Sequence, residues 1–190
     1  TLDGHLVDIV ASIGIASYPE HDEDITHLLL KADIAMYAAK RANVRYRIYT
    51  PEIEAIAARN LELQNELRYA IENEQLLLHY QPKISHHTGC IMGVEALVRW
   101  NHPERGLVPP DEFIPLAESS GLIQPLALWV LQATMQQCEK WHAAGQSFTV
   151  SLNLSTRNLL DGDLPARVAK LLTTYHVSPE SLVFEITESA

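Results

Sequence analysis

Apolar and polar positions alternate in some stretches of this chain and recur at three- and four-residue spacing in others. Residues 6 to 18 suit a strand, closed by Pro19 and the acidic run from Glu20 to Asp24. Asp24 can cap a helix through about Ala42, on which Leu28, Ala32, Ala35 and Ala39 share a face, with Asn43 as a left-handed stop. Arg45 to Tyr49 reads as a short strand. Pro51 suits a first helical turn, and Ile53, Ile56, Ala57, Leu61, Leu67, Ala70 and Ile71 predict a helix to about Asn73.

The second part of the chain changes rhythm. Leu76 to Pro82 is a strand ended by proline, His86 to Gly89 a turn, and Ile91 to Trp100 a strand, which together predict an antiparallel hairpin. The paired histidines in the turn have no third ligand nearby in sequence and read as solvated. Asn101 to Asp111 is a Pro-Gly loop, followed by a short helix that Ser119-Ser120-Gly121 stops and a longer one over about Pro125 to Ala143. Phe148 to Leu154 is a strand, Leu164 to Tyr175 a helix, and Leu182 to Glu188 a strand. Strands alternating with helices predict parallel strands and right-handed crossovers, hence an α/β sheet or barrel.

Three oxygen-bearing side chains interrupt these apolar strands: Glu95, Asn153 and Glu185. A carboxylate taken out of water is normally paired or bound to metal. Glu95 alone is open to an ion pair with Arg99 or to a solvated strand edge, and Asn153 alone to a hydrogen-bonded core position. Side chains near the C-terminal ends of parallel barrel strands converge on one mouth. Two carboxylates and an amide oxygen make a hard donor set, suited to magnesium, manganese or calcium and ill suited to zinc.

Composition narrows the function classes. The chain has 190 residues, 47% hydrophobic and 20% charged, which is ordinary for a globular protein. A formal charge of -10 argues against a broad surface for a nucleic-acid polymer or an anionic membrane. Cys90 and Cys138 form neither a zinc spacing nor a disulfide framework, which points to a reducing, cytoplasmic setting. No apolar run approaches a membrane span in length, which leaves room for an anchor or sensor upstream on a longer parent chain.

Two resemblances organise these readings. Ser12-Ile13-Gly14-Ile15-Ala16, Ala32-Asp33-Ile34-Ala35-Met36-Tyr37 and Ala39-Lys40 resemble the C-terminal third of a GGDEF domain, the diguanylate cyclase fold, over about residues 6 to 50. The signature loop would lie upstream, so cyclase activity is not expected here. The lysine matching Lys40 holds GTP phosphates in that family, but the matching arginine position falls on Val44. Lys40 is therefore read as a solvated cation favoured by the helix end.

Tyr80-Gln81-Pro82-Lys83, Glu95-Ala96-Leu97-Val98-Arg99-Trp100, Phe113-Ile114-Pro115-Leu116-Ala117-Glu118, Asn153-Leu154-Ser155 and Glu185-Ile186-Thr187-Glu188-Ser189 resemble, in order, the motifs of the EAL domain. That family consists of Mg2+- or Mn2+-dependent phosphodiesterases that cut cyclic di-GMP to pGpG. The resemblance implies that Glu95, Asn153 and Glu185 are metal ligands and that Gln81, Leu97 and Arg99 contact the bound dinucleotide. It implies that Glu188 steadies a loop beside the site. The implied mechanism is two-metal hydrolysis, with a metal-activated water attacking in line.

The expected organisation is a GGDEF remnant over 1–50, a connecting helix over 51–73 and the N-terminal half of an EAL domain over 74–190. The expected fold is thus a truncated TIM-like (β/α) barrel with an antiparallel first strand, preceded by an α+β remnant. Two alternatives remain: a receptor that binds cyclic di-GMP without cutting it, and a structural half that forms a homodimer through free strand edges. Because the later metal ligands of the resembled family lie beyond the fourth barrel strand, residues 1–190 alone are expected to lack appreciable activity. Hydrolysis of cyclic di-GMP with Mn2+, compared with a form extended through the rest of the barrel, checks this; robust turnover by the short form would contradict it.

Overall fold

The computed structural model describes residues 11–187. It divides into two compact units, 1–63 and 64–190, with the division inside one helix. In the first unit, β1 (Ile13–Ile15) and β2 (Tyr46–Ile48) are parallel neighbours joined through α1 (Ile25–Arg41). Of the strand expected over 6 to 18, residues 6–10 lie outside the described residues; among 11–18 the strand covers Ile13–Ile15, and the chain leaves it after Ile15. There the Ser17 N–H donates to His21 Nδ1 at 2.7 Å instead of to a neighbouring strand. Asp24 caps α1 as expected, its Oδ1 accepting from the N–H groups of Thr26 (2.8 Å) and His27 (3.1 Å). Asn43 takes the left-handed conformation, φ 50°, just past the helix. Gly14 is required by close approach, since a Cβ there would lie 1.8 Å from the Ala32 carbonyl oxygen of α1. The helix α2 (Pro51–Glu72) follows.

The second unit is built on β3 (Leu76–Ile84), β4 (Ile91–His102), β5 (Gly106–Val108), β6 (Thr149–Ser155) and β7 (Leu182–Thr187). The order is β3-β4-β6-β7, with β5 paired to the end of β4. β3 runs antiparallel to β4, and β4, β6 and β7 run parallel, as the alternation of elements predicts. β3 does not stop at Pro82. It is an edge strand among the described residues, where a missing N–H breaks no ladder bond to a second neighbour. β5 falls in the stretch expected to be loop. Its Leu107 and Val108 pair with Asn101 and Trp100 of β4. His102, buried at the β4–β5 turn, fixes the bend by accepting at Nδ1 from the N–H groups of Glu104 and Arg105, both at 3.1 Å.

Helices α3 (Pro110–Ser120), α4 (Ile123–Ala143) and α5 (Leu164–Thr174) complete the unit. Gly121 ends α3 at φ 78°, a backbone state that glycine adopts without steric cost. The core lies between the helices and one face of the sheet. Val94 and Ala96 of β4 and Val150, Leu152 and Leu154 of β6 pack with Ala127, Leu131, Met135 and Cys138 of α4 and with Leu164 of α5. The α4 positions recur at four, four and three residues, one face of a helix. Burying each large aliphatic contributes on the order of 1.5–3 kcal/mol. Tyr80 and Phe148 both stand 4.8 Å, centroid to centroid, from the Trp141 ring, and all three pack against this layer.

The chain leaving β6 is tied down by polar bonds. Ser155 caps the short 3-10 turn Thr156–Leu160, and its Oγ donates to Glu118 Oε1 of α3 at 2.5 Å. Asn158, almost wholly buried, accepts from the Ser155 N–H (3.0 Å) and donates to the Ile123 carbonyl and to Gln124 Oε1 (both 3.1 Å). These bonds lock the C-terminal end of β6 to the α3–α4 junction.

Asn158→Ala should therefore cost about 1–3 kcal/mol, the price of stranding buried polar partners, read as a lowered urea midpoint. Burial pushes the Cys138 thiol up to about 11, whereas Cys90 is exposed. The thiolate is the reactive form, so at pH 8 iodoacetamide should label Cys90 quickly and Cys138 only after unfolding; equal labelling rates would contradict the packing of α4.

Candidate functional site

The face of the sheet opposite the core carries the polar side chains, and strand parity decides which ones. Successive residues point to opposite sides, and paired residues on neighbouring strands point to the same side. With Val94, Ala96, Val150 and Leu152 in the core, the other face receives Glu95, Leu97 and Arg99 from β4 and Ser151, Asn153 and Ser155 from β6. It receives Gln81 and Lys83 from β3 and Glu185 from β7. The register puts Gln81 beside Glu95, Glu95 beside Ser151, and Asn153 beside Glu185.

Two polar pairings hold this face together. Asn153 Nδ2 donates to Glu95 Oε1 at 2.7 Å, a bond across 58 residues of sequence. Lys83 Nζ donates to Ser151 Oγ at 2.7 Å and to Glu185 Oε1. The Lys83 ammonium and the Ser151 hydroxyl hold the Glu185 carboxyl below its usual range, against a smaller opposing effect of burial. Glu185 is thus ionised at neutral pH.

Of the residues singled out in the sequence, Glu95, Asn153 and Glu185 come together on one face of adjacent strands. Gln81 lies across from Glu95, and Leu97 and Arg99 continue up β4 on the same side. The ion pair between Glu95 and Arg99, left open by the sequence, does not form. Four residues of strand separate the two by about 13 Å, Glu95 takes its bond from Asn153, and Arg99 Nη1 donates to the Val98 carbonyl at 2.8 Å. Glu188 lies outside the described residues. His86 and His87 sit in the β3–β4 turn, both exposed.

Lys83 and Ser151 are site neighbours that the sequence reading left without a role. Strand parity carried the signal: Lys83 is two residues from Gln81 and Ser151 two from Asn153. Register, which sequence did not give, was needed to bring them to Glu185.

Among the described residues, no three His, Cys, Asp or Glu side chains stand close enough to hold a metal ion by themselves. The donor set is instead two carboxylates and an amide. Asn153 donates through Nδ2, which leaves its Oδ1 as the lone-pair atom. Oxygen donors of this kind fit a hard divalent cation.

Residues 64–190 match the family model described as the EAL domain, and residues 1–45 match that of the diguanylate cyclase GGDEF domain. The chain is 40% identical over 187 residues to the bifunctional diguanylate cyclase/cyclic di-GMP phosphodiesterase MucR of Pseudomonas aeruginosa, covering 97% of this chain and 27% of that protein. It is 42% identical over 179 residues to the cyclic di-GMP phosphodiesterase PdeR of Escherichia coli, covering 94% and 27%. The chain thus spans about a quarter of the length of these curated relatives. Among solved structures, the PaMucR phosphodiesterase in complex with c-di-GMP superposes with TM-score 0.64 at 40% identity, over 67% of this chain and 52% of that one. The EAL enzyme Bd1971, bound to cAMP and cyclic di-GMP, gives TM-score 0.66 at 25% identity over 87% and 44%. Matched by the EAL model over residues 64–190, the greater part of its length, the chain belongs to the EAL domain family, with a GGDEF-type segment preceding it.

Proposed function

We propose that the protein carrying this chain is a cyclic di-GMP phosphodiesterase that hydrolyses its substrate to pGpG at the polar face of β4, β6 and β7. One observation carries the reading: Glu95 and Asn153 in contact, with Glu185 beside Asn153, put three hard oxygen donors on one face of parallel strands. The 40% identical relative whose structure is described as a c-di-GMP complex supports the choice of substrate.

Glu95, Asn153 and Glu185 would hold Mg2+ or Mn2+. When bound, such an ion supplies charge to neutralise phosphoryl oxygens and lowers the pKa of water. The chain's own residues do the rest. Arg99 offers a planar fork matched to two phosphate oxygens. Gln81 and Leu97, on the same face, contact the dinucleotide, one through its amide and the other through apolar surface. The EAL resemblance gives Glu188 the role of steadying a loop beside the site. In the full protein, the open sheet continues into a TIM-like barrel, and residues 51–73 join the GGDEF segment 1–50 to the EAL segment 74–190. A cytoplasmic location fits a nucleotide second messenger as substrate, and no described helix is long and apolar enough to cross a membrane.

Cyclic di-GMP hydrolysis by the full-length protein tests this reading. Mn2+ or Mg2+ should support turnover to pGpG, and EDTA should abolish it reversibly. Glu95→Gln should lower kcat by at least about a hundredfold, in line with losing one charge-stabilising group. Arg99→Ala, which removes a charged hydrogen bond, should raise KM roughly 10- to 100-fold. Binding of cyclic di-GMP without hydrolysis by the metal-loaded wild type would overturn the enzyme reading in favour of a receptor.

A further inference from the structure

We propose that Lys83 is a positioning residue for the metal site: it crosses beneath the site and holds one oxygen of Glu185, so that the other is presented to the ion. The inference rests on the phosphodiesterase reading only in taking Glu185 as a metal ligand.

The geometry is specific. Lys83 stands on β3, two strand spacings from β6 and three from β7, yet its Nζ reaches Ser151 Oγ at 2.7 Å and Glu185 Oε1. Neighbouring strands are about 4.8 Å apart, so the side chain must run across β4 to arrive there. The residue of β4 paired with Lys83 is Gly93. Gly93 is on the site face, and it has no side chain to block the path. It is also closely fitted: a Cβ there would meet Thr149 Oγ1 at 2.5 Å and the Thr149 carbonyl oxygen at 2.7 Å. Gly93 thus serves the close approach of β6 to β4, and it puts no side chain between Lys83 and β6.

The direction of approach makes this arrangement compatible with ligation. Lys83 pairs with Gly93, two residues before Glu95 along β4, so it comes from the N-terminal side of the parallel strands. Arg99 lies four residues beyond Glu95, on the opposite side. The ammonium therefore engages Oε1 from the N-terminal side, and a cation held by Glu185 would sit toward the C-terminal strand ends, where Arg99 lies. Ser151 anchors the ammonium from the floor of the site, and it is itself buried. A carboxylate fixed in this way loses little rotamer freedom on binding, which is how hydrogen-bonded partners behind a ligand raise metal affinity.

The test uses the full-length protein, with Mn2+ alone as the probe and free Mn2+ followed by its electron paramagnetic resonance signal. Lys83→Met keeps the length of the side chain and removes its charge and its bonds. It should raise the Mn2+ dissociation constant by roughly tenfold or more, the effect expected of removing a partner behind a ligand. Hydrolysis by Lys83→Met should fall at limiting Mn2+ and recover at saturating Mn2+, with KM for cyclic di-GMP unchanged; a merely structural lesion would not be rescued by the ion. Ser151→Ala, which leaves the lysine in place, provides a milder second variant and should weaken Mn2+ binding in the same direction. Equal or tighter Mn2+ binding by Lys83→Met overturns the proposal, as does wild-type protein that takes up no Mn2+. Turnover of cyclic di-GMP by the wild type decides the phosphodiesterase reading separately, because the Mn2+ titration needs no substrate.

Discussion

The register of β4 against β6 and of β6 against β7 is the constraint on which the second unit depends. Once Val94 and Ala96 are committed to the core beside Val150 and Leu152, the pleat sends Glu95, Ser151 and Asn153 to the other face. A slip of one residue would bury the carboxylates against α4 and expose the aliphatic row. The cost of burying a charge and the gain from burying aliphatic groups therefore act together to hold one register. The site is a consequence of that choice.

Charge balance on the polar face follows from the same register. Glu95 is answered by an amide N–H from Asn153, and Glu185 by the ammonium of Lys83. Neither carboxylate pairs with Arg99, whose strand position carries it beyond both. Arg99 stays out of these pairs, Nη1 donating to the Val98 carbonyl, while Lys83 enters them from the N-terminal side of the strands. The two cations differ in position before they differ in chemistry. The bonds from Ser155 and Asn158 to Glu118, Ile123 and Gln124 hold the end of β6 in place, so that Asn153, two residues earlier, is carried on a fixed strand end.

Much of this was legible in the residues. Asp24, Asn43 and Gly121 marked helix ends because their side chains or backbone freedom act locally, within a few residues. The parallel arrangement followed from the alternation of strands and helices. Glu95, Asn153 and Glu185 stood out because each is polar in an apolar strand. Other features were not legible. β5 is only three residues long and exists through its pairing with β4, so no local pattern announces it. Pro82 reads as a strand end, and only an edge position makes it harmless. Lys83 looks like an ordinary surface cation at the end of a hairpin strand.

By itself, the sequence determined most of the elements, the family and the three polar residues set into apolar strands. All of these are encoded by local periodicity or by residue type at a fixed place in a motif. The tertiary structure decided which polar groups meet: that Glu95 takes Asn153 and not Arg99, and that Lys83 reaches Ser151 and Glu185. Those outcomes depend on register between strands tens of residues apart, and register is set by how the apolar faces pack. No single stretch of the chain contains that information, because the free energy that fixes it belongs to the assembled core.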